Sequence, residues 1–239
     1  MRISDWSSDV CSSDLTAGDE TFTLSDANTI ELSEINFTNV ETIDAGGGND
    51  TLTATAGDET FTLSDANTIE LSGINFTNVE TIDAAGGNDT LTATTGDETF
   101  TLSDTNAIQF SGINFTNVEA IDAAGGNDTL TATAGDETFI LSDANTIELS
   151  GINFTNVETI DAAGGNDTLT ASAGDETFTL SDTNAIQFSG ISFINVETID
   201  AAGGTDTLTA TASYETFTFR LPKGGFCFNC RCLGLEDLS

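Results

Sequence analysis

The chain has 239 residues and a formal net charge of −36, from 40 acidic and 4 basic side chains, with no histidine and a single proline. The bases are Arg2, Arg220, Lys223 and Arg231, so Thr16 to Phe219 carries no positive side chain; such a surface repels phosphate backbones and anionic headgroups and attracts cations, which argues against nucleic-acid and membrane partners. The absence of histidine excludes any Ser-His or Cys-His nucleophile, and no apolar run approaches the roughly 20 residues of a membrane span.

The start of the chain stands apart from the remainder. Ser4 to Leu15 reads SDWSSDVCSSDL, shares nothing with the residues after it, and resembles the translation of a short-read sequencing adaptor. Residues 1–15 are expected to be an artefactual, disordered leader, in which Trp6 and Cys11 carry no function. They lack the apolar centre of a secretory signal.

From Thr16 the chain is a repeat. The motif GDETF recurs at Gly18, Gly57, Gly96, Gly135 and Gly174, in steps of 39 residues, and a degenerate sixth copy, SYETF, begins at Ser213. Two subtypes occur, ANTIEL in the first, second and fourth units and TNAIQF in the third and fifth. A fixed long period of near-identical copies predicts a solenoid, a propeller or an array of small domains.

Within a unit, taken in order, ETFTLS, TIELS, VETID and TLTAT alternate apolar residues with Thr, Ser or Glu, the pattern of half-buried strands. The turn formers SDAN, SG, AAGGND and TAGD lie between them. About four short strands per unit fit a solenoid better than a propeller blade, whose strands are longer. The expected fold is all-β: a parallel β-solenoid of the β-helix or β-roll kind over residues 16–219, five 39-residue repeats of about two coils each. Phe22, Phe61, Phe100, Phe139, Phe178 and Phe217 are expected to form one apolar ladder. Ile30, Ile69, Ile108, Ile147 and Ile186 would form a second, Val40, Val79, Val118, Val157 and Val196 a third, and Leu52, Leu91, Leu130, Leu169 and Leu208 a fourth. One unit alone buries too little to fold, so stacking is obligatory.

The turn GGNDTL holds the best candidate site: Asn49 with Asp50, Asn88 with Asp89, Asn127 with Asp128, Asn166 with Asp167, and, where Thr205 replaces the asparagine, Asp206. The stretch Ala84 to Leu91, AAGGNDTL, resembles the calcium-binding nonapeptide of RTX proteins, GGxGxDxUx, in which U is a large apolar residue. It keeps Gly87, Asp89 and Leu91 and replaces the first two glycines by Ala84 and Ala85. The next nine residues repeat the plan more weakly through Gly96, Glu98 and Phe100. The resemblance implies Ca2+ held between stacked turns by backbone carbonyls and the aspartates. Calcium takes six to eight oxygens, which tight glycine turns can expose. RTX arrays repeat every nine residues, whereas here one good copy falls in each 39; a plain tight turn is the competing reading.

The long imperfect units also resemble strand-repeat regions of large bacterial surface and secreted proteins. That resemblance implies a non-catalytic stalk or spacer of an adhesin or RTX-like exoprotein, extracellular or at the cell surface, with host or cell-surface ligands bound through other domains. The alternative is a calcium-responsive binding module that folds on Ca2+ binding at the GGND turns. A third reading takes Thr-x-Thr-x-Thr stretches such as Thr90, Thr92 and Thr94 as an ice-binding face. The sequons at Asn36, Asn75, Asn114 and Asn153 read as asparagine ladders rather than sugar sites. Near-identical units offer no unique environment to split two carboxylate pKa values, so no enzyme is expected. From Arg220 the chain changes character again: residues 220–239 are expected to be an irregular tail, read first as a frameshifted or chimeric end and second as a cap, whose Cys227, Cys230 and Cys232 fall short of a four-ligand zinc site.

Overall fold

The computed structural model describes residues 18–210 except 28, 66, 144, 183 and 184. The leader 1–15, Phe217 and the tail 220–239 with its three cysteines lie outside the described residues. Among the described residues every regular element is a strand.

The first unit supplies β1 (Thr21–Asp26), β2 (Thr29–Leu32), β3 (Ile35–Thr38), β4 (Thr42–Asp44) and β5 (Thr51–Thr53), and the second continues with β6 (Thr60–Asp65), β7 (Thr68–Leu71), β8 (Ile74–Thr77), β9 (Thr81–Asp83) and β10 (Thr90–Thr92). Alternation does what the sequence predicts on β6 and β7, where Phe61, Leu63, Ile69 and Leu71 point into the core. The strand β8 (INFT) is a fifth beyond the four expected per unit, with Ile74 and Phe76 buried in the same alternation.

The first three strands of a unit form an antiparallel meander in one sheet, β6 pairing β7 and β7 pairing β8. The β7–β8 hairpin closes through Ser72 and Gly73, with φ of 52° and 81°. Positive φ at both central residues is the twist that lets a two-residue turn join right-twisted strands.

The chain then crosses between two facing sheets three times per unit: after β8 into β9, after β9 into β10, and after β10 into the strand Thr99–Asp104. Consecutive units therefore start on opposite sheets, and each unit makes one and a half turns rather than the expected two. The meander is the reason, since it spends chain length on in-plane strands that advance along the axis without winding. One sheet contains 14 strands and the other 11. At a strand spacing of about 4.8 Å the longer sheet spans roughly 60 Å.

This winding changes the ladders. Phe22 and Phe61 lie on opposite sheets and do not stack. Phe22 instead pairs in parallel with Leu52, Leu52 with Ile82, and Ile82 with Phe115. The apolar columns are thus mixed in residue type, with steps near 30 residues instead of 39. The two sheets interlock through edge-on phenylalanine pairs, such as Phe22 with Phe76 at 6.4 Å and Phe61 with Phe115 at 6.3 Å between centroids. Ile74 and Phe76 are each 1% exposed beneath β4 of the preceding unit, while Ile35 and Phe37 on the terminal strand β3 are 58% and 40% exposed.

The sequon asparagines do not stack on one another: Asn75 pairs with Thr42 on one side and Glu70 on the other. Asparagine side chains are linked elsewhere, as at Asn67 and Asn78, where Asn67 Nδ2 donates to Asn78 Oδ1 at 2.7 Å and Asn78 Nδ2 donates to Asp44 Oδ1 at 2.7 Å, and likewise between Asn145 and Asn156 at 2.8 Å.

Candidate cation sites at the stacked turns

The crossings place three kinds of turn above one another on each edge of the roll. The Gly-Asp-Glu turn before a unit's first strand lies beneath the Gly-Asn-Asp turn before its fifth, and the Asn-Val-Glu turn of the next unit lies above both. Glu59, Asp89 and Glu119 form one such stack, tied by backbone groups. The Glu59 N–H donates to Asp89 Oδ1 at 2.7 Å, and the Asp89 N–H donates to Glu119 Oε2 at 2.9 Å. The same pair of bonds joins Glu98 to Asp128 and Asp128 to Glu158, at 2.7 and 2.8 Å.

Glycine sets how closely the turns approach. At Gly87, φ is +145° and a Cβ would fall 2.0 Å from the Gly57 carbonyl oxygen; the equivalent distance at Gly126 to Gly96 is 1.9 Å. At Gly86 nothing lies within 4 Å, so of the adjacent glycines only the second is required by packing. Ala85 occupies the second position of the nonapeptide at φ 70°, a left-handed conformation that suits glycine better, and the first unit has Gly46 there at φ 91°.

Asp50, Asp89, Asp128 and Asp167 are fully buried. Their Oδ2 atoms have no hydrogen-bond partner, and neither do Oε2 of Glu59, Glu98, Glu137 and Glu176. The other oxygen of each glutamate is held within its own turn: Thr55 Oγ1 donates to Glu59 Oε1, Thr94 Oγ1 to Glu98 Oε1, and Ser172 Oγ to Glu176 Oε1. Thr94 has therefore left the strand face, and of Thr90, Thr92 and Thr94 only the first two lie on β10.

Burial raises the pKa of Asp50, Asp89, Asp128 and Glu137 by penalising the charged form. Asp128 is pushed up from 3.8 to about 6, first by desolvation and then by the Glu98 and Glu158 carboxylates, against the lowering effect of the Glu98 backbone N–H. Asp50 and Asp89 are raised by the same causes. Glu137 is raised by desolvation first and by Asp167 beside it, with the Thr133 hydroxyl opposing. A buried carboxylate pair without a base is unfavourable unless a proton or a cation joins it.

Of the residues singled out from the sequence, Asp50, Asp89, Asp128 and Asp167 occupy these stacks, with Asp206 in the last, where it accepts the Glu176 N–H at 3.0 Å. Asn49, Asn88, Asn127 and Asn166 are exposed and contribute backbone N–H groups to the aspartate of the turn below, as Asn88 does to Asp58 at 2.9 Å. The partners the motif left unidentified are Glu20, Glu59, Glu98, Glu137 and Glu176. The signal that could have found them is the weaker nonapeptide GDETF, once it is stacked on GND at a separation of 30 rather than 9. Among the described residues no three Asp, Glu, His or Cys side chains converge on one point. Oxygens beyond a glutamate and an aspartate would therefore come from backbone carbonyls, of which Gly57 and its equivalents lie at the turn contact.

The family model of the RTX calcium-binding nonapeptide repeat matches the chain in four copies, over residues 37–69, 77–105, 118–146 and 154–184. Each copy spans one GND turn and the GDE turn after it. Among curated proteins none matches the chain.

Proposed function

The chain belongs to the RTX calcium-binding nonapeptide repeat family, and from that premise we propose that it is a rod whose winding is completed by calcium at the five turn pairs Glu20 with Asp50, Glu59 with Asp89, Glu98 with Asp128, Glu137 with Asp167, and Glu176 with Asp206. It is a calcium-binding repeat module. The observation that carries the placement is that Oδ2 of Asp89, Asp128 and Asp167 and Oε2 of Glu59, Glu98 and Glu137 are buried without a hydrogen-bond partner in a stretch without a single lysine or arginine. The pairs Glu20 with Asp50 and Glu176 with Asp206 are placed by their equivalent positions in the repeat. The donor set fits the ion, because carboxylate and backbone carbonyl oxygens are what calcium selects. When bound, calcium supplies the positive charge that each pair lacks. The chain's own part is to desolvate the pair, to orient Asp Oδ1 onto the Glu N–H, and to hold Glu Oε1 with a Thr or Ser hydroxyl, which leaves the second oxygen of each buried without a partner in the pairs of Glu59, Glu98 and Glu137.

The parent molecule we infer is a secreted or cell-surface protein in which this rod serves as a spacer for ligand-binding domains elsewhere. Calcium-dependent winding suits that setting, where the ion reaches the 10⁻⁴–10⁻³ M range that weak extracellular modules use. Among the described residues no helix is long and apolar enough to cross a membrane. Far-ultraviolet circular dichroism of the full chain with calcium and then with chelator tests the proposal. A β signal that strengthens in calcium and weakens on chelation is expected; a signal indifferent to both rejects calcium-dependent folding.

A further inference from the structure

The Asn-Val-Glu turn lacks the glycines of the two turns beneath it, and yet it closes every fully buried aspartate. Asp50 donates its N–H to Glu80 Oε2 at 2.8 Å, Asp89 to Glu119 at 2.9 Å, Asp128 to Glu158 at 2.8 Å and Asp167 to Glu197 at 2.8 Å. The bonding is returned by the backbone: the Asp50 carbonyl accepts from the N–H of Glu80 at 3.1 Å and of Thr81 at 3.0 Å, and the Asp128 carbonyl from Glu158 at 3.2 Å and Thr159 at 3.0 Å. Val79, Val118 and Val157 anchor the turn in the core at 2–3% exposure. Asp206 supplies the internal contrast. Among the described residues no such turn lies over it, and it is half-buried where its four equivalents are fully buried.

We propose that the Asn-Val-Glu turn is the roof of each cation site, and that Glu80, Glu119, Glu158 and Glu197 are positioning residues that fix the aspartate and keep water from it. This rests on the calcium reading of the turn pairs. The glutamate acts through the aspartate's backbone N–H rather than as a third ligand, because three acidic side chains do not converge. Fixing a ligand by a hydrogen bond from outside the coordination sphere typically changes metal affinity ten- to a hundred-fold. Among the described residues there are therefore two classes of site, four roofed and one open at Asp206.

Terbium luminescence on the full chain tests this, because the lifetime in H2O against D2O counts the waters on the bound ion independently of how tightly it binds. The wild type should show a long-lived, water-poor population about four times the size of a short-lived one. Replacing Glu80, Glu119, Glu158 and Glu197 together by Ala should convert the long lifetime to the short one and weaken calcium binding at those sites about tenfold or more. The four Glu→Gln replacements keep the acceptor oxygen and should preserve the long lifetime. A single lifetime in the wild type, or an Ala variant that keeps the long one, overturns the roof while leaving calcium binding intact. Should the Ala variant not fold, the wild-type division and the Gln variant still decide. A chain that takes up neither terbium nor calcium overturns the calcium reading and the roof with it.

Discussion

Glu59 and Asp89 are joined by one hydrogen bond and set against each other by two oxygens: the Glu59 N–H donates to Asp89 Oδ1 at 2.7 Å, while Glu59 Oε2 and Asp89 Oδ2 are buried without partners. The backbone thus forces together two groups that repel when both are charged. Any condition that removes one charge, or adds an opposite one, should stabilise the roll. The consequences can be separated by experiment.

Asp128→Asn keeps an oxygen to accept the Glu98 N–H and removes one charge from a buried pair. Calcium-free stability should rise by about 1 kcal/mol, while the calcium-dependent gain from that site disappears. Urea denaturation with and without calcium measures both. A variant clearly less stable than wild type in chelator would show that the carboxylates do not oppose each other.

The raised pKa of Asp128 gives the sign of the pH response. Its folded value of about 6 lies above the ordinary 3.8, so protonation favours the folded state. That contribution is complete below about pH 4 and is lost as the pH rises through about 6; for one such group it amounts to on the order of 3 kcal/mol. Asp50, Asp89 and Glu137 shift in the same direction. In chelator, the denaturation midpoint should climb between pH 7 and pH 5, and added calcium should matter most at the higher pH. A midpoint that falls on acidification contradicts this.

Three substitutions in one turn should behave in three ways. Gly87→Ala would drive a Cβ to 2.0 Å from the Gly57 carbonyl and should cost several kcal/mol or prevent folding. Gly86→Ala meets open space and should be tolerated. Ala85→Gly relieves a φ of 70° and should stabilise by up to about 1 kcal/mol, the left-handed penalty less the added freedom of the unfolded chain. Thermal melts in calcium rank the three, and a tolerated Gly87→Ala would mean the turns do not stack this closely.

Leu91 is fully buried between Phe61 and Ile121 in neighbouring strands. Leu91→Ala should destabilise by about 2–5 kcal/mol, whereas Thr92→Ala on the outer face of the same strand should stay within about 0.5 kcal/mol. Equal effects at the two positions would invalidate the assignment of inner and outer faces.

Period-two alternation was enough to find four of the five strands in a unit, all but INFT, because which residues face inward depends only on neighbours two apart. TFTLSD, TIEL and TLT are strands over the residues that pattern selects, and Asp89 was visible as a candidate ligand because glycine and aspartate at that spacing suit a cation-binding turn. The partner of Asp89 was not visible. A repeat of 39 residues invites the assumption that Phe22 stacks on Phe61, and nothing local reveals that three strands lie flat in one sheet before the chain crosses.

Composition and repetition alone determined an acidic, all-β stacked rod with calcium-type turns, since alternation, turn chemistry and missing bases are properties of single units. Only the tertiary structure decided that Glu59 meets Asp89, that Glu119 closes over them, and that successive units alternate between sheets. Those facts depend on how much of each unit the meander holds in one plane, and that is settled by long-range strand pairing, which no window of sequence contains.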